Sequence, residues 1–244
     1  EIGAAQGIKM TAEQFASGEV CYKLNGDQSE ISWTQTIGTD VVPQIGLGSS
    51  KQVYASGEVR CDGSENPDTP LSYSNTESYP TKPDHQYGSD GLCIVCGGTD
   101  ESFVKQNEEG YYLVGTVMDL NWINKKILDG ETGVKVLLTA DMDLSQSEFK
   151  NLMIGGESAP FSGVFDGQGH TVVYNYETDK FYSGLFSYVN GATIRNLCVN
   201  GTAIAYAQHF GGLIGQSQGN VLVENVIVDA DITGMLNTST GDGG

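Results

Sequence analysis

The chain has 244 residues, of which 33 are glycine, 12 tyrosine and 5 cysteine, and its 12 basic and 31 acidic side chains leave a formal charge of −19. That charge repels phosphate backbones and anionic membranes, which argues against nucleic acid as a partner, and no apolar run approaches the roughly 20 residues needed to span a bilayer, so no membrane insertion is expected within this fragment. Glycine and tyrosine at this level favour a β-rich fold with many tight corners over a helical bundle, in one large or two modest domains.

Near the start, Thr11-Ala12-Glu13-Gln14 has the form of a capping box, with Phe15 as apolar anchor and Gly18 as a stop, and predicts a short helix. From Trp33 to Val42 the alternation suits an exposed strand pair, which Pro43 closes. Between Cys61 and Cys96 the composition turns to Asp, Gly, Ser, Asn, Pro and Tyr, too polar to bury a core of its own. Such a loop needs a pin.

Cys61, His85, Cys93 and Cys96 are the candidate pin. Cys93 and Cys96 form a C-x-x-C knuckle followed by Gly97 and Gly98, a pattern that lets two thiolates converge on one ion while glycine permits the turn behind them. With His85 and Cys61 the set becomes Cys3His, the closed shell of a structural zinc, whose binding would supply the energy the loop lacks. The alternative is a disulfide, such as Cys21 with Cys61, in an exported protein. A redox-active Cys93–Cys96 pair lacks the thioredoxin-like βαβ setting. Cys198, on an apolar strand, reads as a small buried side chain.

From Gly110 the chain changes character. Val117, Leu120, Ile123 and Ile127 recur at helical spacing, with Asp119 early, Lys125 and Lys126 late, and Gly130 beyond. This predicted amphipathic helix is placed to cover the exposed apolar end of the β-rich repeats C-terminal to it. From about Val134 the chain carries three glycine-led segments, Ser162-Gly163-Val164-Phe165, Ser183-Gly184-Leu185-Phe186 and Gly211-Gly212-Leu213-Ile214, which run into β-rich stretches. Ile194, Leu197 and Val199 match Val223, Val226 and Val228, with one irregular step just before Asn196 and Asn225, residues suited to a left-handed corner. Copies of one small apolar strip must stack to be stable. The predicted division is therefore residues 1–107, a small irregular α+β module, and 108–244, a helix-capped β-helix. No second cap is legible at 237–244, and further coils and an export signal are expected outside the fragment.

The stretch from Val134 to Gly234, with "LTADMDL", "FSGVFDGQGHTV", "SGLF…ATIRNLCVNG" and "GGLIG…ENVIVDADITG", resembles the GLUG-motif proteins. The resemblance implies a right-handed parallel β-helix on bacterial surface proteins, adhesin-like, with no chemistry of its own. The first half, with "ASGEVCYKLNG" and "HQYGSDGLCIVCGG", is similar to modules that accompany such repeats in large secreted proteins of gut bacteria.

Polysaccharide-active β-helices place carboxylates on one face, and the residues that would serve here are Asp141, Asp143 and Asp166 with His170 nearby. However, Asp141 and Asp143 at i, i+2 spacing are met more simply by solvation or calcium, Asp166-Gly167 is a turn dipeptide, and no H-E-x-x-H pattern occurs. No catalytic residue is assigned. The expected function is a non-catalytic, exported, cell-surface adhesin or stalk contacting an unknown host or bacterial surface glycan or protein. The alternative is a carbohydrate-binding module using Trp33 or Trp122 as the first ligand-binding candidates, with Tyr174, Tyr176 and Tyr206 as further stacking faces, and a polysaccharide-cleaving enzyme comes third.

Overall fold

The computed structural model describes residues 8–46, 51–145, 149, 151–206 and 209–234. Its contacts form two compact units, one of residues up to Gln86 with Ile94–Gly98 and one of Tyr87–Cys93 with the residues from Thr99 onward.

In the first unit, helix α1 (Ala12–Ser17) begins where predicted: Thr11 Oγ1 accepts from the Gln14 N–H while the Gln14 side chain accepts from the Thr11 N–H, and Gly18 ends the helix at φ 95°. Helix α2 (Glu19–Leu24) follows at once and buries Val20 and Cys21. The predicted strand pair is much shorter than its alternation suggests, only Trp33–Thr34 against Gln44–Ile45, antiparallel. Between them, side chains replace the ladder. Gln35, fully buried, donates to the Phe15 and Asp40 carbonyls, and Asp40 accepts from the Thr36 N–H, local captures that compete with strand pairing. Tyr54–Ser56 and Ser72–Ser74 form a second small antiparallel pair.

The second unit is a parallel β-solenoid of about three turns. Lys135 pairs with Val164, Val164 with Thr193 and Thr193 with Leu222, so each coil advances 29 residues on this face. Ile194 lies against Val223, Leu197 against Val226 and Val199 against Val228, the columns read from the alternation. Phe161, Phe165, Leu185, Phe186, Ile194, Leu197 and Val199 fill one continuous interior, on which Leu213 and Val226 pack half-buried. Asn196 and Asn225 take φ 52° and 53° at the predicted corner, and Asn225 Nδ2 donates to Asn196 Oδ1 at 2.9 Å. The stacked amides tie one coil to the next.

The glycines of the repeat have a steric cause. A Cβ on Gly163 would stand 1.8 Å from the Val134 carbonyl oxygen, and one on Gly184 would stand 2.8 Å from the Gly215 nitrogen; adjacent coils approach too closely there for any side chain. Val223 and Val228 continue the inward columns yet are 45% and 44% exposed, because no further described strand pairs with Leu222–Gly234. The sequence expectation for residues 237–244 lies outside the described residues.

Helix α3 (Val117–Leu128) covers the other end of the interior, with Leu120, Trp122, Ile123 and Ile127 buried in the same cluster. Its start is a capping box between Thr116 and Asp119. The cap is larger than predicted: strand Tyr111–Val114 precedes the helix and pairs in parallel with Lys135–Leu138, so the helix is the crossover that parallel pairing requires. Lys126 differs from its expected role as a solvated last-turn charge. Its side chain is 1% exposed, lies 5.1 Å from the Trp122 ring centroid and pairs with Glu101 and Glu131. Two carboxylates offset the cost of burying one ammonium.

Candidate metal centre

Cys61, Cys93 and Cys96 sit on or beside turns that their own neighbours dictate, and His85 on an irregular stretch. Cys61, 1% exposed, occupies a tight turn in which the Arg60 N–H donates to Ser64 O at 2.8 Å, Asp62 accepts from the Ser64 N–H and hydroxyl, and Gly63 adopts φ 87°. Cys93 is bridged to Tyr87, and Gly91 turns the short hairpin between them at φ 71°. Cys96 opens the knuckle: Gly97 takes φ 73° and the Gly98 N–H points at Cys96 Sγ, 3.4 Å away. A Cβ on Gly98 would lie 3.3 Å from Cys96 Sγ and 3.7 Å from His85 Cε1.

The fold brings all four together. Three sulfurs and one imidazole nitrogen lie within 4.8 Å of one another, and Cys96 Sγ is 3.4 Å from His85 Nδ1. A tetrahedral zinc with Zn–S near 2.3 Å and Zn–N near 2.0 Å sets neighbouring donors about 3.5–3.8 Å apart, so donor chemistry and spacing fit a divalent ion that favours sulfur and nitrogen. Sequence reasoning missed Arg60, whose guanidinium donates to the Val95 carbonyl and so ties the Cys61 turn to the knuckle. Its one signal was a basic residue next to a candidate thiolate.

The remaining cysteines stand apart from this set. Cys21 is fully buried, its thiol pushed up to about 11 by burial, and it forms no disulfide. Cys198 is half-buried rather than buried, because Leu197 and Val199 take the inward positions and alternation leaves residue 198 on the outer face.

The acidic candidates are committed to structure. Asp141 Oδ1 accepts from the Thr171 N–H at 2.9 Å and lies 3.1 Å from His170 Nδ1; Asp143 Oδ1 accepts from the Ser145 N–H and hydroxyl. Asp166, 3% exposed, accepts from Asn196 Nδ2, the Gln168 N–H and Arg195 Nε at 2.8–3.0 Å. Burial alone would raise its pKa, but these donors outweigh burial and hold it below the usual carboxylate range. Of the stacking candidates, Trp122, Tyr174 and Tyr176 are buried, the first against Phe103 and Tyr112. Trp33 is half-buried, and Tyr206, 40% exposed, donates to Glu177.

Among the described residues, no helix is long and apolar enough to cross a membrane. No protein-family model, curated protein or solved structure matches the chain.

Proposed function

We propose that this chain belongs to an exported cell-surface protein and is non-catalytic, its β-solenoid serving as a rigid stalk or adhesin-like scaffold and a structural zinc pinning the small module that accompanies it. The closed Cys61/His85/Cys93/Cys96 donor set carries the reading. Four protein donors satisfy a tetrahedral ion, leaving no position for the water or substrate that a catalytic zinc must bind. The ion would hold the loop between Cys61 and Cys96 in place of the apolar core its composition cannot supply.

The non-catalytic assignment draws support from the carboxylates, each of which is occupied by backbone or side-chain donors of the solenoid corners. The extracellular assignment draws on the acidic surface and on the resemblance to GLUG-motif proteins of bacterial surfaces.

Elemental analysis of the purified chain is expected to give about one zinc per molecule, falling sharply in Cys93→Ser. Incubation with neutral and acidic polysaccharides is expected to release no reducing ends. Metal-free wild-type protein would remove the zinc centre, and reducing-end release that disappears in Asp166→Asn would replace the scaffold with an enzyme.

A further inference from the structure

The sugar-stacking residues suggested by the sequence are mostly buried, yet the second unit carries a different aromatic surface beside an open cleft. This cleft, of about 560 Å³, runs along α3 and the coil beneath it, a size typical of small-molecule sites. Asn121, Asn124 and Leu128 of the helix, spaced three and four residues apart, line one side; Phe149, Asn151, Phe181 and Tyr182 line the other.

Two features mark it as a built site. Asn124 is 7% exposed, and its Oδ1 accepts from the Gly155 N–H at 2.9 Å. That bond fixes the amide plane where the side chain borders the cleft. The second feature is Phe181. It is 49% exposed, yet its ring packs edge-on with Tyr182 at 4.8 Å and tilted against His209 at 5.1 Å. An exposed ring held from behind offers a preorganised flat face.

We infer that this cleft binds a neutral carbohydrate, one pyranose ring stacking on Phe181 while the amides of Asn121, Asn124 and Asn151 engage its hydroxyls. Primary amides present a donor and an acceptor side by side, matched to adjacent hydroxyl groups. The charged residues at the cleft, Glu157 and Lys180, carry opposite signs, and the protein's charge of −19 disfavours uronates and sialylated chains. This goes beyond the scaffold reading and does not depend on the zinc.

The test is an array of neutral and acidic oligosaccharides probed with the whole 244-residue chain, then calorimetric titration of the strongest neutral hit. Phe181→Ala and Asn151→Ala, both at exposed positions, are each expected to weaken binding by about tenfold, with thermal melting and zinc content unchanged, while Trp33→Ala binds as the parent does. The inference is overturned by an array with no neutral ligand, by binding confined to acidic saccharides, or by neutral binding that survives both cleft variants. Zinc content measured on the same samples separates this outcome from failure of the metal centre.

Discussion

The first unit buries Val20, Val53, Ala55 and Val59 together with cysteines, whereas the second encloses a column of Phe161, Phe165, Phe186, Ile194, Leu197 and Val199. Small side chains contribute little transfer free energy, roughly 25 cal/mol for each Å² removed from water, so the first unit depends on side-chain-to-backbone bonds, and the loop between Cys61 and Cys96 on the Cys/His cluster. The solenoid relies instead on its apolar interior. Its stability is distributed over repeated contacts between neighbouring coils. The contrast teaches that one chain can combine a segment held at a point with a segment held along a line, and that the two respond to different insults.

Removing the proposed ion gives the largest expected effect. Structural zinc contributes about 10–16 kcal/mol in small zinc-dependent folds, so a strong chelator should abolish order in the Cys61–Cys96 segment altogether. Limited proteolysis with mass spectrometry reads this directly: cuts appear between residues 61 and 98, while the region 134–234 stays intact. Simultaneous digestion of both regions would show that they are not independently held.

A cavity in the column should produce the mirror image. Ile194→Ala, at a fully buried position, is expected to cost about 2–5 kcal/mol. Denaturant titration followed by hydrogen exchange should show faster opening of the solenoid strands with protection of the first unit unchanged. Equal loss in both would contradict the division.

Asp166 sharpens the comparison at a smaller scale. Asp166→Asn replaces an acceptor of three hydrogen bonds with an amide facing donors, for an expected loss of about 2 kcal/mol, seen as a lower melting temperature. Because the folded carboxyl titrates below its ordinary value, its contribution is fully present above the usual carboxylate pKa and is lost as pH falls through the lowered one. The difference in stability between parent and variant should therefore be largest near neutrality and shrink in acid. A pH-independent difference would assign the effect to shape rather than charge.

The solenoid was legible because its determinants are local and repeated. Alternating Ile194, Leu197 and Val199, the asparagine corners and the recurrent glycines each state a backbone requirement, and the same statement recurs one coil later. The helix start at Thr11 was legible for a similar reason, since a capping box closes within four residues, whereas α3 was read from the spacing of Val117, Leu120, Ile123 and Ile127 and its capping box at Thr116 came only with the structure. Strand Tyr111–Val114 was hidden because its partner lies beyond a helix, and α2 because Gly18 served as the end of one helix and the start of another. The 33–42 alternation misled because Gln35 and Asp40 captured the backbone that a strand would have used.

The metal ligands were chosen from residue type and the C-x-x-C spacing, which bring two thiolates together by chain geometry alone. Only the tertiary structure placed Cys61 and His85 beside them, since loop closure over dozens of residues leaves no trace in local pattern. Likewise the sequence offered Trp122 and Tyr174 as surfaces for sugar because aromatic residues look alike on paper. Packing decided that they fill the interior and that Phe181 faces outward, for burial is a property of all the neighbours that converge on a side chain and not of the side chain itself.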